Sequence, residues 1–274
     1  MSLVQLFVFL RVNMTTNMSQ KFQQNHVGGS RLVRLLSDYV SSNSEISHKH
    51  FAERLGLLVD LSDSVILSES LRGLARVSFE ATGCNRVESE FAVQEEYLKQ
   101  RSIILKFILK SFDPKAVLLQ FKLPIPKADT SIEDAISFDP YLRFYGLHQS
   151  ELDFKIEKLR YGVRQEISAY SLRLAQLAEL DKTLGKSLAT HTRKRFAVVP
   201  KILKQRFEYL LLEHQTRSRG ETKQDKPIFW LESGGWLTKF YYEMQQLLLA
   251  ELEIRLQPVL GLVEAFNEEV DRKR

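Results

Sequence analysis

Apolar residues recur every three or four positions along most of the chain, which is the spacing of one face of an α-helix. The longest such series lies in the second half of the chain and comprises Leu152, Ile156, Leu159, Val163, Ile167, Tyr170, Leu174, Leu177, Leu180, Leu184 and Leu188. Its spacing is close to the heptad seam of a coiled coil. Asp139-Pro140 predicts the helix start, with Asp139 as the N-cap. A continuous helix from Asp139 to Leu188 would measure about 75 Å, which favours a long helical hairpin or an elongated bundle.

A second long series follows Gly234-Gly235 and predicts the C-terminal helix. It comprises Trp236, Phe240, Met244, Leu248, Leu252, Leu256, Val259, Val263 and Phe266. Pro258 lies within it and predicts a kink, because proline removes a helical hydrogen bond. Pro200 predicts a break near Val198 for the same reason.

The first half of the chain predicts three further helices. One begins after Ser30, a second runs from Ser47 to about Leu71 with Gly73 as a left-handed cap, and a third runs from Asn85 to about Ser111. The buried face expected for the third comprises Val87, Phe91, Leu98, Leu105, Ile108 and Phe112. The β-branched stretch VDLSDSVILS leaves a strand open as an alternative. No hairpin pattern of alternating residues occurs, so the fold class expected is all-α, an elongated helical bundle with a long coiled-coil-like hairpin.

Composition shifts divide the chain into four parts. Residues 1–28 are expected to be an extension outside the fold, with translation starting at Met14 or Met18 and a short membrane-surface anchor as the alternative. Residues 29–113 form an N-terminal helical subdomain, and residues 114–138, with three prolines, form a linker. Residues 139–274 form the long-helix bundle.

The overall composition excludes several classes of protein. The 274 residues are 44% hydrophobic, so a sizeable core can form. The net charge of +5 is too small to indicate a nucleic-acid-binding protein by itself. A single cysteine, Cys84, excludes an intramolecular disulfide. No apolar run approaches the roughly 18 residues of a membrane span, so we expect a cytoplasmic protein.

Few residues are candidates for chemistry. His48 and His50 would point apart on a helix and have no third ligand nearby, so we expect no metal site. Cys84 with Arg86, and His148, each lack the partners that nucleophilic or general-base catalysis needs. No phosphate-binding loop or nucleophile elbow is present. We therefore expect no catalytic residue, cofactor or metal.

A run of basic residues without an acidic one extends from Lys182 to Arg206. Lys182, Lys186 and Arg193 share a helical face, with Lys194 and Arg195 beside it. Such a stripe could bind nucleic-acid phosphates in a salt-sensitive way. The alternatives are pairing with an acidic protein surface, including the glutamates of the last helix, or simple solvation.

Four stretches resemble a known bacterial family. They are SRLVRLLSDYV, HFAERLGLLVDLSDSVILSESL, YLRFYGLHQSELDFKIEKLRYGVR and GGWLTKFYYEMQQLLLAELEIRLQPVLGLVEAF. Together they resemble the mainly proteobacterial domain-of-unknown-function family number 3348. The resemblance implies a helical cytoplasmic protein without a known activity. The family's gene neighbours imply an accessory role in an envelope-spanning assembly. A partner protein would hold the chain at the inner membrane.

The leading hypothesis is a non-enzymatic interaction or scaffold protein whose partner contributes a helical or coiled-coil segment. The leucine series would pack within the chain or against that partner, and the last helix would offer a docking face. The candidate partner-binding residues are Leu174, Leu177, Met244, Leu248, Leu252 and Leu256. The alternative is a nucleic-acid-associated protein that uses Lys182, Lys186, Arg193, Lys194 and Arg195. The oligomeric state is left open, since the leucine series can close within one chain or between two.

Overall fold

The computed structural model describes residues 31–39, 61–74, 86–114, 121–126, 132–218, 227–232 and 234–273. The helices in these ranges are α1 (Arg31–Tyr39), α2 (Leu61–Leu74), α3 (Arg86–Ser111), α4 (Ile132–Ala135), α5 (Asp139–Ser168), α6 (Leu172–Phe196), α7 (Val199–Ser218) and α8 (Trp236–Lys273), with a 3₁₀ helix at Pro227–Leu231. No strand occurs in the described ranges, and the all-α prediction is confirmed. The predictions on residues 1–28, His48, His50 and Cys84 lie outside these ranges.

The C-terminal helix α8 forms the centre of the molecule. Its ten consecutive residues from Glu243 to Leu252 are all buried, because α1, α3, α5 and α7 pack around it. A helix with apolar residues on every face is stable only in such an interior position. Contacts of Tyr141 with Tyr241, Tyr145 with Glu251 and Tyr170 with Phe266 show that α5 runs parallel to α8.

Helices α5 and α6 form the long hairpin that the leucine series predicts. The chain reverses at Ala169–Ser171, where the Ser171 hydroxyl accepts a hydrogen bond from the Leu174 backbone amide at 3.3 Å. This N-cap satisfies one of the free donors of the first turn of α6. Helix α2 packs on α6, and the Gln176 side chain donates to the Leu74 carbonyl at 3.0 Å.

Proline and glycine mark the starts of the last two long helices, as the sequence predicts. The break between α6 and α7 falls at Ala197 and Val198, which leaves Pro200 in the first turn of α7, where its missing amide proton costs nothing. Gly234 has a φ of 87°, in the left-handed region that favours glycine. A Cβ atom on Gly235 would lie 2.2 Å from the Trp230 carbonyl oxygen, so no larger residue fits there.

Two local predictions and one alternative for the first half are wrong. Gly73 lies within α2 and not at a left-handed cap, and the strand alternative fails because Leu61–Ser68 are helical. Leu98 points away from the core and is 51% exposed. Among the residues whose burial the structure describes, the inward face of α3 includes Val93, Tyr97, Ile104 and Ile108, and Phe112 continues it just beyond the end of the helix.

The predicted N-cap of α5 is also wrong. The N-cap of α5 is Phe138, and Asp139 lies in the first turn, where its negative charge faces the positive end of the helix dipole. Pro258 lies within α8, which continues for 15 residues beyond it, and the kink predicted there stays a prediction.

Part of the proline-containing segment packs against the same core as the long helices. Leu123, Ala135 and Phe138 contact the hydrophobic cluster that includes α8. The hydroxyl of Tyr241 donates to the Pro124 carbonyl oxygen. The division into subdomains stays a prediction. Among the described helices, none is both long and apolar enough to cross a membrane.

Candidate functional site

The candidate partner-binding residues are mostly in the chain's own interior. Leu174, Met244, Leu248, Leu252 and Leu256 are at most 3% exposed, and Leu177 is half-buried. The expectation that α8 presents a surplus apolar face at these positions is therefore wrong. Packing within the chain, which the sequence left open, accounts for their burial. A role of these residues in partner binding stays a prediction.

A buried carboxylate, Glu251, stands at the centre of a polar network between α5 and α8. Its Oε1 atom accepts from the Tyr145 hydroxyl at 2.7 Å and from Gln149 Nε2 at 2.9 Å. Its Oε2 atom accepts from Arg255 at 3.1 Å, and Arg255 also pairs with Asp153. The Arg255 guanidinium stacks over the Phe196 ring at 3.8 Å from its centroid.

Burial has the largest effect on the pKa values of Glu251 and Tyr145 in this network. Burial raises the pKa of Glu251 above its usual range, although Arg255, Tyr145 and Gln149 all favour the ionised form. Burial also raises the pKa of Tyr145, and the neighbouring Glu251 carboxylate raises it further. Glu251 and Tyr145 are fully buried, so their contact holds α5 to α8 in the interior, while Asp153 at the edge of the network is exposed.

Two glutamates of α8 pair with basic residues of other helices. Glu243 forms a bidentate ion pair with Arg206 of α7, at 2.7 and 2.8 Å. Glu253 pairs with Arg31 of α1 at 2.9 Å. The predicted pairing of the basic stripe with the last helix therefore holds for Arg206.

The rest of the basic stripe faces outward. Lys182 pairs with Glu179 one turn before it on α6, at 2.8 Å. Lys186, Arg193, Lys194 and Arg195 are exposed, and none forms an ion pair within the part of the chain that the structure describes. Arg193, Lys194 and Arg195 occupy the last turn of α6, where cations are stabilised by the helix dipole. Their position is compatible with simple solvation and with binding of an anion.

His148 is buried among four phenylalanine rings. The centroids of Phe107, Phe112, Phe121 and Phe144 lie 4.3–6.3 Å from the imidazole centroid. The ring Nδ1 atom donates to the Phe144 carbonyl at 2.8 Å, and Nε2 lies 2.7 Å from Ser111 Oγ. No local pattern predicts the Ser111–His148 pair, which resembles a nucleophile and its base. Because both residues are buried and burial lowers the pKa of His148, the pair acts as core packing.

An open groove lies between α3 and α5. It has a volume of about 500 Å³ and an apolar floor that includes Val93, Leu159 and Val163. Phe154 and Ile103 lie on its rim and are 66% and 43% exposed. A Cβ atom on Gly162 would meet no atom within 4 Å, so this glycine leaves the groove open. The apolar spacing of the sequence does not predict this groove, although Phe154 is an aromatic residue outside the buried stripe of α5 and is a signal that could have marked it.

Within the described ranges, no cluster of three His, Cys, Asp or Glu side chains could hold a metal ion. The groove between α3 and α5 has a volume of about 500 Å³ and is open to solvent. Since an exposed aromatic side chain beside an apolar depression is typical of a protein-binding surface, the groove is the candidate functional site.

Comparison with known families identifies the chain. The model of the family described as "Protein of unknown function (DUF3348)" matches residues 18–268, so the chain belongs to this family. No curated protein and no solved structure matches the chain.

Proposed function

We propose that this member of the DUF3348 family is a non-enzymatic helical protein that binds a helical segment of a partner protein in the groove between α3 and α5. The exposure of Phe154 beside the apolar floor of the groove is the observation that supports this proposal. Covering one large aromatic side chain stabilises a complex by about 1.5–3 kcal/mol. Aromatic anchors of this kind dominate the energetics of many protein interfaces.

The buried polar groups support a non-enzymatic role. Glu251, Tyr145 and His148 have shifted pKa values, which is a common property of catalytic groups. Each of them instead satisfies its hydrogen bonds within the core, away from the groove. A partner at the inner membrane or in the cell envelope, and a cytoplasmic location, stay predictions that follow from the family context.

Site-specific crosslinking in native cells tests the proposal. A photoreactive phenylalanine analogue replaces Phe154 in one variant and Phe229, which is 51% exposed in the 3₁₀ helix, in the control. We expect a discrete crosslinked species from position 154 and none of the same mass from position 229. Adding Ile103→Glu on the groove rim should abolish that species. Identical products from both positions would contradict the proposal.

Nucleic-acid binding is the second candidate function, and the exposed cations at the end of α6 favour it. Arg193, Lys194 and Arg195 together could neutralise phosphates, and such binding falls steeply with salt. Fluorescence anisotropy with duplex and single-stranded oligonucleotides at low and moderate salt measures it directly. If the wild-type chain binds at low salt and a variant with all three changed to alanine does not, the second candidate is supported. No binding at low salt removes it.

A further inference from the structure

The groove between α3 and α5 has the dimensions of a short helix. Its α3 wall extends from Ala92 to Ile103 and its α5 wall from Phe154 to Glu166. At 1.5 Å per residue these walls are about 16 and 18 Å long. A helix of 11 or 12 residues, about three turns, has the same length.

The two helices of the groove run antiparallel, and this direction fixes where its charged residues lie. Lys155 Nζ is 5.5 Å from the centroid of Phe107, and Phe112 is 5.2 Å from Phe144, so the end of α3 lies beside the first half of α5. Glu96 and Glu166 are therefore at one end of the groove. Lys155 and Lys158 are at the other.

One charge at each end has no counter-ion. Lys155 pairs with Glu151 at 3.0 Å, and Glu96 lies near Lys99 and accepts from Gln100. Lys158 and Glu166 form no ion pair with any residue that the structure describes. They are eight positions apart on α5, which is about 12 Å along the axis. With respect to the described residues, the groove thus presents one unpaired cation, Lys158, and one unpaired anion, Glu166, beside an apolar floor.

We infer that the occupant is an amphipathic helix of about three turns that carries a basic side chain facing Glu166 and an acidic side chain facing Lys158. This inference rests on the helix-binding function proposed above and adds the charge pattern of the partner. The two charges of the partner lie about eight residues apart, and its apolar stripe extends past the acidic one to cover Phe154 and Ile103. Rim charges of this kind select the partner and steer its approach more than they add affinity.

Three designed peptides serve as probes for the full-length chain. Each is a fluorescein-labelled amphipathic helix of 14 residues with the same leucine stripe. The first has one lysine and one glutamate eight positions apart, the second has two lysines, and the third has two glutamates at those positions. Anisotropy titrations measure the dissociation constants for wild type, Lys158→Glu and Glu166→Lys. Lys194→Glu, outside the groove, controls for the change in net charge.

We expect wild type to bind the mixed peptide about threefold to tenfold more tightly than the other two, the range of one or two exposed charge pairs. Lys158→Glu should transfer this preference to the dilysine peptide, and Glu166→Lys should transfer it to the diglutamate peptide. Lys194→Glu should leave the preference for the mixed peptide unchanged. Phe154→Asp should weaken the binding of all three peptides. This result would show that they bind in the groove.

The outcomes separate the charge pattern from the groove itself. If all three peptides bind equally to every charge variant and Phe154→Asp weakens them, the charge inference is overturned and helix binding stands. If no peptide binds the folded chain, or Phe154→Asp has no effect, helix binding in the groove fails. Sedimentation of the chain alone as a dimer that Phe154→Asp converts to a monomer would assign the groove to a second copy and overturn the inference.

Discussion

The middle of α8 and the length of α6 have similar leucine spacing and very different surroundings. Leu248 and Leu252 of α8 are at most 1% exposed, whereas Leu180, Leu184 and Leu188 of α6 are only half-buried. The difference arises because α1, α3, α5, α6 and α7 all pack on α8, whereas α6 packs mainly on α2 and α5 and only weakly on α7 and α8. Periodicity therefore identifies the side of a helix that packs, and the extent of its contacts with neighbouring helices decides how deeply it is buried.

The same two regions also treat their polar residues differently. In α8, Glu243, Gln246 and Glu251 lie in the interior and are paired with residues of other helices. In α6, the cations of the last turn are in solvent. An unpaired charge in the interior would cost several kcal/mol, whereas an unpaired charge at the surface costs little. Substitutions in the two regions should therefore change the free energy of unfolding by different amounts.

The largest difference is expected when a charge replaces a leucine. Leu248→Asp places a carboxylate in a fully enclosed apolar site and should reduce the free energy of unfolding by more than about 4 kcal/mol, or prevent folding. Leu184→Asp, at a half-buried position of α6, should cost only about 1–2 kcal/mol because water reaches the carboxylate. Urea unfolding followed by circular dichroism compares the two. Equal losses would contradict the contrast between α8 and α6.

Removing the central carboxylate of the polar network should have the next largest effect. Glu251→Ala leaves the Arg255 guanidinium buried with only Asp153 as an ionic partner, and the expected loss is about 3 kcal/mol. Glu264→Ala, at an exposed position on the same helix, is the matched control and should stay within about 0.5 kcal/mol of wild type. A similar effect of both changes would show that the network does not stabilise the core.

The pH dependence of stability should reveal the lowered pKa of His148. Burial lowers its pKa, so between the folded and unfolded pKa values the unfolded chain binds more protons. Stability should therefore fall as pH drops below about 6.5, with a slope of at most about 1.4 kcal/mol per pH unit from this group. Glu251 should change the stability in the opposite direction. Burial raises its pKa, so the folded chain binds a proton more readily than the unfolded chain, and the contribution of this group to stability rises as the pH falls.

Comparison with His148→Gln isolates the histidine. Urea unfolding at pH 7.5, 6.5 and 5.5 gives the stability difference between wild type and the variant at each pH. This difference should shrink as the pH falls, because only wild type loses the neutral histidine's contribution. A difference that stays constant would mean that His148 has the same pKa in both states.

The smallest effect is expected on the surface of α6. Lys182 and Glu179 form an exposed ion pair at 2.8 Å, and such pairs contribute about 0–1 kcal/mol. Lys182→Ala should change the free energy of unfolding by less than about 0.5 kcal/mol, and added salt should reduce this change further because it screens exposed ion pairs. A loss above 1.5 kcal/mol, measured by the same urea titration, would show that α6 is buried more deeply than described.

Several parts of the fold could be predicted because their causes are local. The starts of α3 and α8, the break before Pro200 and the all-helical class follow from caps, glycine, proline and apolar spacing. The apolar spacing predicts a hairpin but not the position of its turn. The spacing continues without interruption from Ile167 to Leu174, across the reversal at Ala169–Ser171. The outward position of Leu98 was missed because a leucine at helical spacing is not distinguished from a core residue by pattern alone.

The candidate site could be predicted much less completely. The Glu251–Arg255 pair has a recognisable i, i+4 spacing, yet its burial depends on Tyr145 and Gln149, which are about 100 positions away in sequence. The groove likewise joins residues of α3 and α5 that are more than 50 positions apart. No local pattern encodes such distances.

The sequence by itself determined that this protein is a set of long helices with defined breaks, since backbone hydrogen bonding and capping depend on neighbouring residues. Only the tertiary structure decided that α8 is the centre, that its leucines are internal, and that Phe154 borders an open groove. Burial is a property of what surrounds a side chain from every direction, and most of those surroundings come from distant parts of the chain.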